Sequence, residues 1–247
     1  MTDIAQKIWT FANPNQFMRL SAALVPYFFA GAALAFAVGV SWALFGTPPD
    51  HRQGEAVKIF FIHVPAAILS VNIAVVMVVA SVIGLVRSHP VSHLVAKSCA
   101  PVGAAFTAIA IVTGALWGQP IWGTYWVWDP RLTSILVVFF FYIGYLALWD
   151  AIEDPNEAAT PAAILCVVGA LCALFSRYAV EFYNSLHQDH SLRLDGQEAV
   201  ADIFYYPLVA MILAHYLLFG ALLMVGVRTE IRARRIRALR GALGDDA

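Results

Sequence analysis

The sequence predicts an all-α integral membrane protein of six transmembrane helices, with an aromatic loop on the outer face and both termini cytoplasmic. Three observations predict it. Hydrophobic residues make up 61% of the chain and charged residues only 13%, roughly half the charge of a soluble domain. Six apolar runs, at 21–45, 59–86, 98–116, 132–149, 161–180 and 203–227, come close to or exceed the ~20 residues that carry a helix across a bilayer core. The fifteen lysines and arginines divide unevenly between the two faces that six spans create.

The first run is longer than the ~7–15 apolar residues of a signal peptide, and no small-residue cleavage site follows it, so an uncleaved span is expected. Ahead of it, "IAQKIWTFANPNQFMRL" mixes aromatic and apolar residues with Lys7 and Arg19, a pattern expected to lie on the membrane surface. The second run opens with "FFIHVPAA", and the third carries Pro101, Gly103 and two threonines. The segment 117–131 joins it to the fourth run. Acidic "DAIEDPNE" (150–157) leads to the fifth, and a longer connection, 181–202, leads to the sixth. These spans occupy most of residues 1–247, which are read as one membrane domain with no separate soluble unit.

Sidedness follows from the basic residues. The face shared by the termini and the connections 87–97 and 150–160 holds Lys7, Arg19, Arg87, Lys97 and six tail arginines. The opposite face holds Arg52, Lys58, Arg131, Arg177 and Arg193. The excess is expected to place both termini in the cytoplasm. The tail "RTEIRARRIRALR" is explained by contact with anionic membrane lipid, and a nucleic-acid role is excluded for so short a run joined to a span. Cys99, Cys166 and Cys172 lack metal-ligand spacing and read as small buried residues. No Walker, HExxH, GxSxG or CxxCH motif is present, and no nucleophile–base grouping points to an enzyme.

Helix parity gathers His63, the segment 117–131 and the stretch "EFYNSLHQDH", with His187 and His190, on the outer face. His63 stands among Phe60, Phe61, Ile62 and Val64, where an imidazole needs a partner. A hydrogen bond to a carbonyl released by Pro65 is the alternative to a ligand role. His215, in the middle of the sixth run, is a functional candidate by its depth or a neutral imidazole bonded to a neighbouring helix. Trp117, Trp122, Trp126 and Trp128 fall within twelve residues, denser than an interfacial belt. If this segment is helical, Trp122, Tyr125, Trp126 and Asp129 share one face, a flat platform ending in a carboxylate. Such a surface suits a large planar ligand. Heme fits: its iron accepts axial imidazoles, and its propionates want cations such as Arg131, Lys58, Arg177 or Arg193.

"GQPIWGTYWVWDPRLTS" (118–134) resembles the tryptophan-rich WWD signature of heme-handling membrane proteins. With "FFIHVPAA" and "NSLHQ", nearly the whole chain resembles the cytochrome c maturation protein C (CcmC, heme exporter protein C) family. The resemblance implies that His63 and His187 are axial ligands to heme b at the periplasmic face. It implies that Trp122, Gly123, Trp126, Trp128 and Asp129 contact the macrocycle and a partner, with Tyr125 where many relatives carry another tryptophan. Trp117 and Arg131 complete the expected platform. The implied partners are the heme chaperone CcmE, the small membrane protein CcmD, and the ABC transporter subunits CcmA and CcmB. A b-type electron-transfer protein and a heme-free solute permease are the alternative readings.

Overall fold

The computed structural model describes residues 13–87, 89, 91–182 and 200–243. Six helices in it are long and apolar enough to cross a membrane. They are α1 (Pro14–Phe45), α2 (Phe60–Arg87), α3 (Ser92–Trp122), α4 (Pro130–Ala151), α5 (Pro155–Phe182) and α6 (Asp202–Leu243), with a 3₁₀ turn at Glu55–Ile59 before α2. No strand occurs among the described residues. Each helix satisfies its own backbone, which hydrocarbon demands of any spanning segment.

The helices run beyond the apolar stretches. α1 begins at Pro14 rather than at 21, because Asn13 caps it, its Oδ1 accepting from Asn15 N–H at 2.9 Å, and Pro14 fits the first turn. Residues 14–20 are therefore helix, while 4–12 lie outside the described residues. α3 extends through Trp122, so Trp117 and Trp122 are helical rather than part of a connecting loop. α6 continues through the arginine-rich tail to Leu243.

Packing is organised around the α2–α3 hairpin. The α4–α5 pair covers one flank, and the α1–α6 pair meets the other chiefly through α6. The main core joins α2, α3, α4 and α5 around Leu69, Ile73, Phe106, Tyr142 and Tyr145. A second cluster ties α1, α2 and α6 through Ala43, Phe60, Phe61, Leu208 and Met211. Cys99 is buried in the main core, and all three cysteines are free thiols.

Ser21, Thr107 and Tyr142 bond back to helix carbonyls or across seams. The Tyr142 hydroxyl crosses α3 at Gly103 and donates to the Ser70 carbonyl at 2.7 Å. At the basic end, Lys97 lies 3.0 Å from Glu230 and 4.9 Å over the Trp149 ring. There Arg228 of α6 donates to the Met18 carbonyl of α1 at 3.0 Å and to Ser21 Oγ at 3.3 Å.

A Cβ at Gly103 would lie 2.3 Å from Tyr142 Cε1. Gly103→Ala is expected to push α4 away from α3 and to cost about 1–3 kcal/mol through overpacking. A lowered Tm in detergent, greater than that of Gly144→Ala, where the added Cβ meets open space, is the check.

Candidate functional site

The segments 46–59, 117–131 and 200–204 meet at one end of the bundle. The entry turn before α2 fixes the geometry. Thr47 Oγ1 donates to the Ala43 carbonyl at 2.6 Å, and Asp50 and Gly54 exchange two backbone bonds of 3.1 and 2.8 Å. Gly54 has φ of 56°, a conformation that a side chain disfavours. The Asp50 carboxylate accepts from the N–H groups of Arg52 and Gln53, both at 2.9 Å. These bonds hold its carboxyl below the usual value, Arg52 foremost.

This turn presents Gln53 to α3. Trp117 Nε1 donates to Gln53 Oε1 at 2.7 Å. The Trp117 indole then stands edge-on to the rings of Phe60, at 5.9 Å, and His63, at 5.5 Å. His63, in the first turns of α2, is buried. Its Nδ1 lies 3.1 Å from Thr113 Oγ1 on α3. Thr113 spends its one proton on the Ile109 carbonyl, 2.6 Å away, so its oxygen accepts from His63. The proton of the neutral imidazole therefore sits on Nδ1. Gly114 permits the approach, because a Cβ there would lie 2.9 Å from the His63 ring.

The tryptophan segment departs from the helical expectation. α3 ends at Trp122, with Gly123 at φ 75° and its N–H bonded to the Gln119 carbonyl at 2.9 Å. Residues 123–129 are an irregular connection, so Trp122, Tyr125, Trp126 and Asp129 do not form one helical face. Thr124 Oγ1 bonds Trp126 at both its carbonyl, 3.1 Å, and its N–H, 3.4 Å. Trp126 and Trp128 meet edge to face at 5.6 Å and 79°, a corner rather than a flat shelf. Tyr125 and Trp128 are 59% and 77% exposed, so their rings are presented outward. Asp129 caps α4, its Oδ1 accepting from Leu132 N–H at 2.7 Å ahead of Pro130. Its carboxylate thus has a structural duty that the helical platform did not foresee.

Two features fit an anionic, planar ligand. Trp126 Nε1 is buried and meets no acceptor among the described residues. Arg131, in the first turn of α4, has a buried guanidinium nitrogen. Lys58 is committed elsewhere, donating to the Leu44 carbonyl at 2.6 Å and pairing with Glu55 at 3.4 Å. His187, His190 and Arg193 lie outside the described residues, as does the Arg177 side chain. Among the described residues no three of His, Cys, Asp and Glu gather as a metal site. A macrocycle brings four nitrogens of its own, so one or two protein ligands complete an iron site.

Sequence reasoning did not find Gln53, Thr113 or Gly114. Their roles depend on neighbours 64, 50 and 51 residues away, and only the burial of His63 hinted that some acceptor had to exist.

Comparison with known proteins places this geometry in context. The family model described as heme exporter protein C matches residues 7–242. The chain is 53% identical over 233 residues to the heme exporter protein C of Paracoccus denitrificans, spanning 94% of this chain and 96% of that protein. It is 52% identical to that of Rhodobacter capsulatus, with the same two coverages. It is 38% identical over 225 residues to that of Escherichia coli K12, spanning 91% of this chain and 88% of the relative.

Gln53→Leu is expected to strand the Trp117 N–H, at a cost of about 1–3 kcal/mol, and to free the indole from the His63 edge. A changed tryptophan emission and a lower Tm check it. The Asp50 contribution to the same turn is present above the ordinary carboxyl value and is lost as pH falls through its depressed one. Acidification to that range is expected to shift the emission as Gln53→Leu does, and the shift is expected to be absent in Asp50→Asn.

Proposed function

The chain belongs to the heme exporter protein C family, and on that premise we propose that it holds heme at the periplasmic face and delivers it for cytochrome c maturation. The observation that carries this reading is the His63–Thr113 pair. It holds Nδ1–H inward, the arrangement that orients a metal-ligating imidazole, and in this reading Nε2 is the atom that meets the iron.

In this reading His63 and His187 are the axial ligands, and heme b is cargo rather than a resident cofactor. Two imidazoles leave the iron no position for oxygen, which suits custody of heme rather than oxygen activation. Trp117 buttresses His63. Arg131 and the Trp126 N–H receive propionate oxygens, the first by charge and the second as a donor. Trp122, Gly123, Tyr125 and Trp128 form the rim, and Asp129 sets its angle through α4. The exposed Tyr125 and Trp128 rings are where the periplasmic chaperone CcmE meets the heme edge. CcmD, CcmA and CcmB complete the assembly, with CcmA and CcmB driving release of the loaded chaperone. Both termini face the cytoplasm, in keeping with the arginine excess of α6. The chain itself makes no covalent bond to heme.

The decisive experiment is the absorption spectrum of the purified protein beside that of His63→Ala/His187→Ala. A six-coordinate, two-imidazole Soret and α band, weakened in either single variant and lost in the pair, is the expected result. Normal bands in the double variant, or no heme in the parent after addition, overturn the reading. Thr113→Val, which removes the acceptor for Nδ1–H, is expected to weaken heme retention about 10–100-fold, measured by heme titration.

A further inference from the structure

An amide stands on the outside of the bundle at mid-depth. Asn72 lies twelve residues into α2, about 18 Å from the start of the helix and about 22 Å from Arg87, near the middle of a hydrocarbon core of about 30 Å. The residue is exposed, and asparagine is too short to reach the interface as lysine and arginine do. Its Nδ2 donates to the Tyr216 hydroxyl of α6. That is its one hydrogen bond among the described residues, which leaves Oδ1 without a described donor. Against lipid alone an apolar side chain would serve better, since an unmet amide oxygen in hydrocarbon is costly.

The amide heads a row. Asn72, Val75, Val79, Val82 and Val86 are all exposed, and their spacing of three, four, three and four is the seam of a left-handed helix pair. The other side of α2, with Leu69, Ile73, Met77 and Ala80, is buried in the main core. Because α2 packs against α3, α5 and α6, the row faces outward between its two flanks. Four of its five side chains are β-branched and already fixed in rotamer by the helix, so packing costs them little freedom.

We propose that this row is the docking seam for a transmembrane helix of a partner membrane protein, one that carries a hydroxyl, amide or indole donor at mid-depth to meet Asn72 Oδ1. Lipid chains offer no donor there. Helices in a membrane associate by close packing and by polar groups satisfied across the seam, and the row supplies both. At a crossing of about +20° the two helices stay in contact from Asn72 to Val86, about 21 Å. A single polar residue in an otherwise apolar seam fixes their register. A lone helix reaches the row more readily than a second copy of this chain, whose own α2 arrives flanked by α5 and α6. The seam stands on this geometry alone and is independent of the heme reading.

The test uses the full chain in its native membrane, with the photocrosslinker benzoylphenylalanine in place of Val79. One discrete adduct with another membrane protein is expected, its linked peptide lying in a transmembrane helix with a donor side chain at mid-span. Adding Asn72→Leu is expected to lower the adduct yield about three- to tenfold. Tyr216→Phe breaks the bond within the chain but leaves the amide in place, and is expected to keep the yield, which separates docking from an internal stitch. The same photocrosslinker in place of Leu34, exposed on α1, is expected to give no such adduct. Adducts with lipid only, an adduct with a second copy, or a linked helix without a mid-span donor each overturns the proposal. So does an equal yield from the Leu34 position, a yield indifferent to Asn72→Leu, or an equal loss in Tyr216→Phe. The parent's absorption spectrum decides the heme reading and the adduct decides the seam, so the two fail separately.

Discussion

One hydrogen bond holds the aromatic end in order, that from His63 Nδ1 to Thr113 Oγ1. It pins α2 to α3 where the hairpin opens, and it selects the tautomer. Thr113 can accept because its own proton is spent on Ile109, and His63 can approach because Gly114 lacks a side chain. In water such a bond would be worth about 1 kcal/mol. At the head of a membrane span the alternative is an unsatisfied ring nitrogen, so the bond orders its surroundings more strictly. Trp117 then packs against the imidazole edge, and Gln53 and the Asp50 turn fall into register behind it.

The same economy governs the rest of the bundle. Ser21, Thr107 and Thr113 return their hydroxyl protons to their own helices. Tyr142 spends its hydroxyl across a seam. At the basic end Lys97, Glu230 and Arg228 link α3, α6 and α1. At the other end the ion pair of Lys58 and Glu55 stays within the entry turn, and the helices meet there through aromatic rings and one oriented imidazole.

The six spans were legible because apolar runs of bilayer length have few other uses. Their limits were less so: the capping Asn13–Pro14 pair and the long α6 tail carry helix into polar sequence, where hydropathy is silent. The density of tryptophan at 117–128 drew attention to this end of the molecule, but its i, i+3, i+4, i+7 spacing suggested a helix that Gly123 ends. The sequence offers many glycines, and only the backbone shows which one turns left-handed. Asp129, expected on the ligand side, also caps α4, a duty that the following Pro130 signalled. Thr113 and Gln53 could not be read at all, since an acceptor is defined by what the fold brings to it.

The pairing of α1 with α6 bears on how the chain is made. Gly31, Gly39 and Gly220 bring the two helices close, against Leu217, Met211 and Phe28 respectively, and α1 has little other support. The ribosome delivers α1 first and α6 last. The first helix thus crosses the bilayer alone, with only lipid for company, while the four helices between are synthesised. Its composition answers that interval: α1 is apolar on nearly every side and presents no charged group between Arg19 and the end of the helix at Phe45. The contact between α1 and α6 is consequently the last to be set in place during biogenesis, and a chain interrupted before α6 would leave α1 in the membrane without its partner.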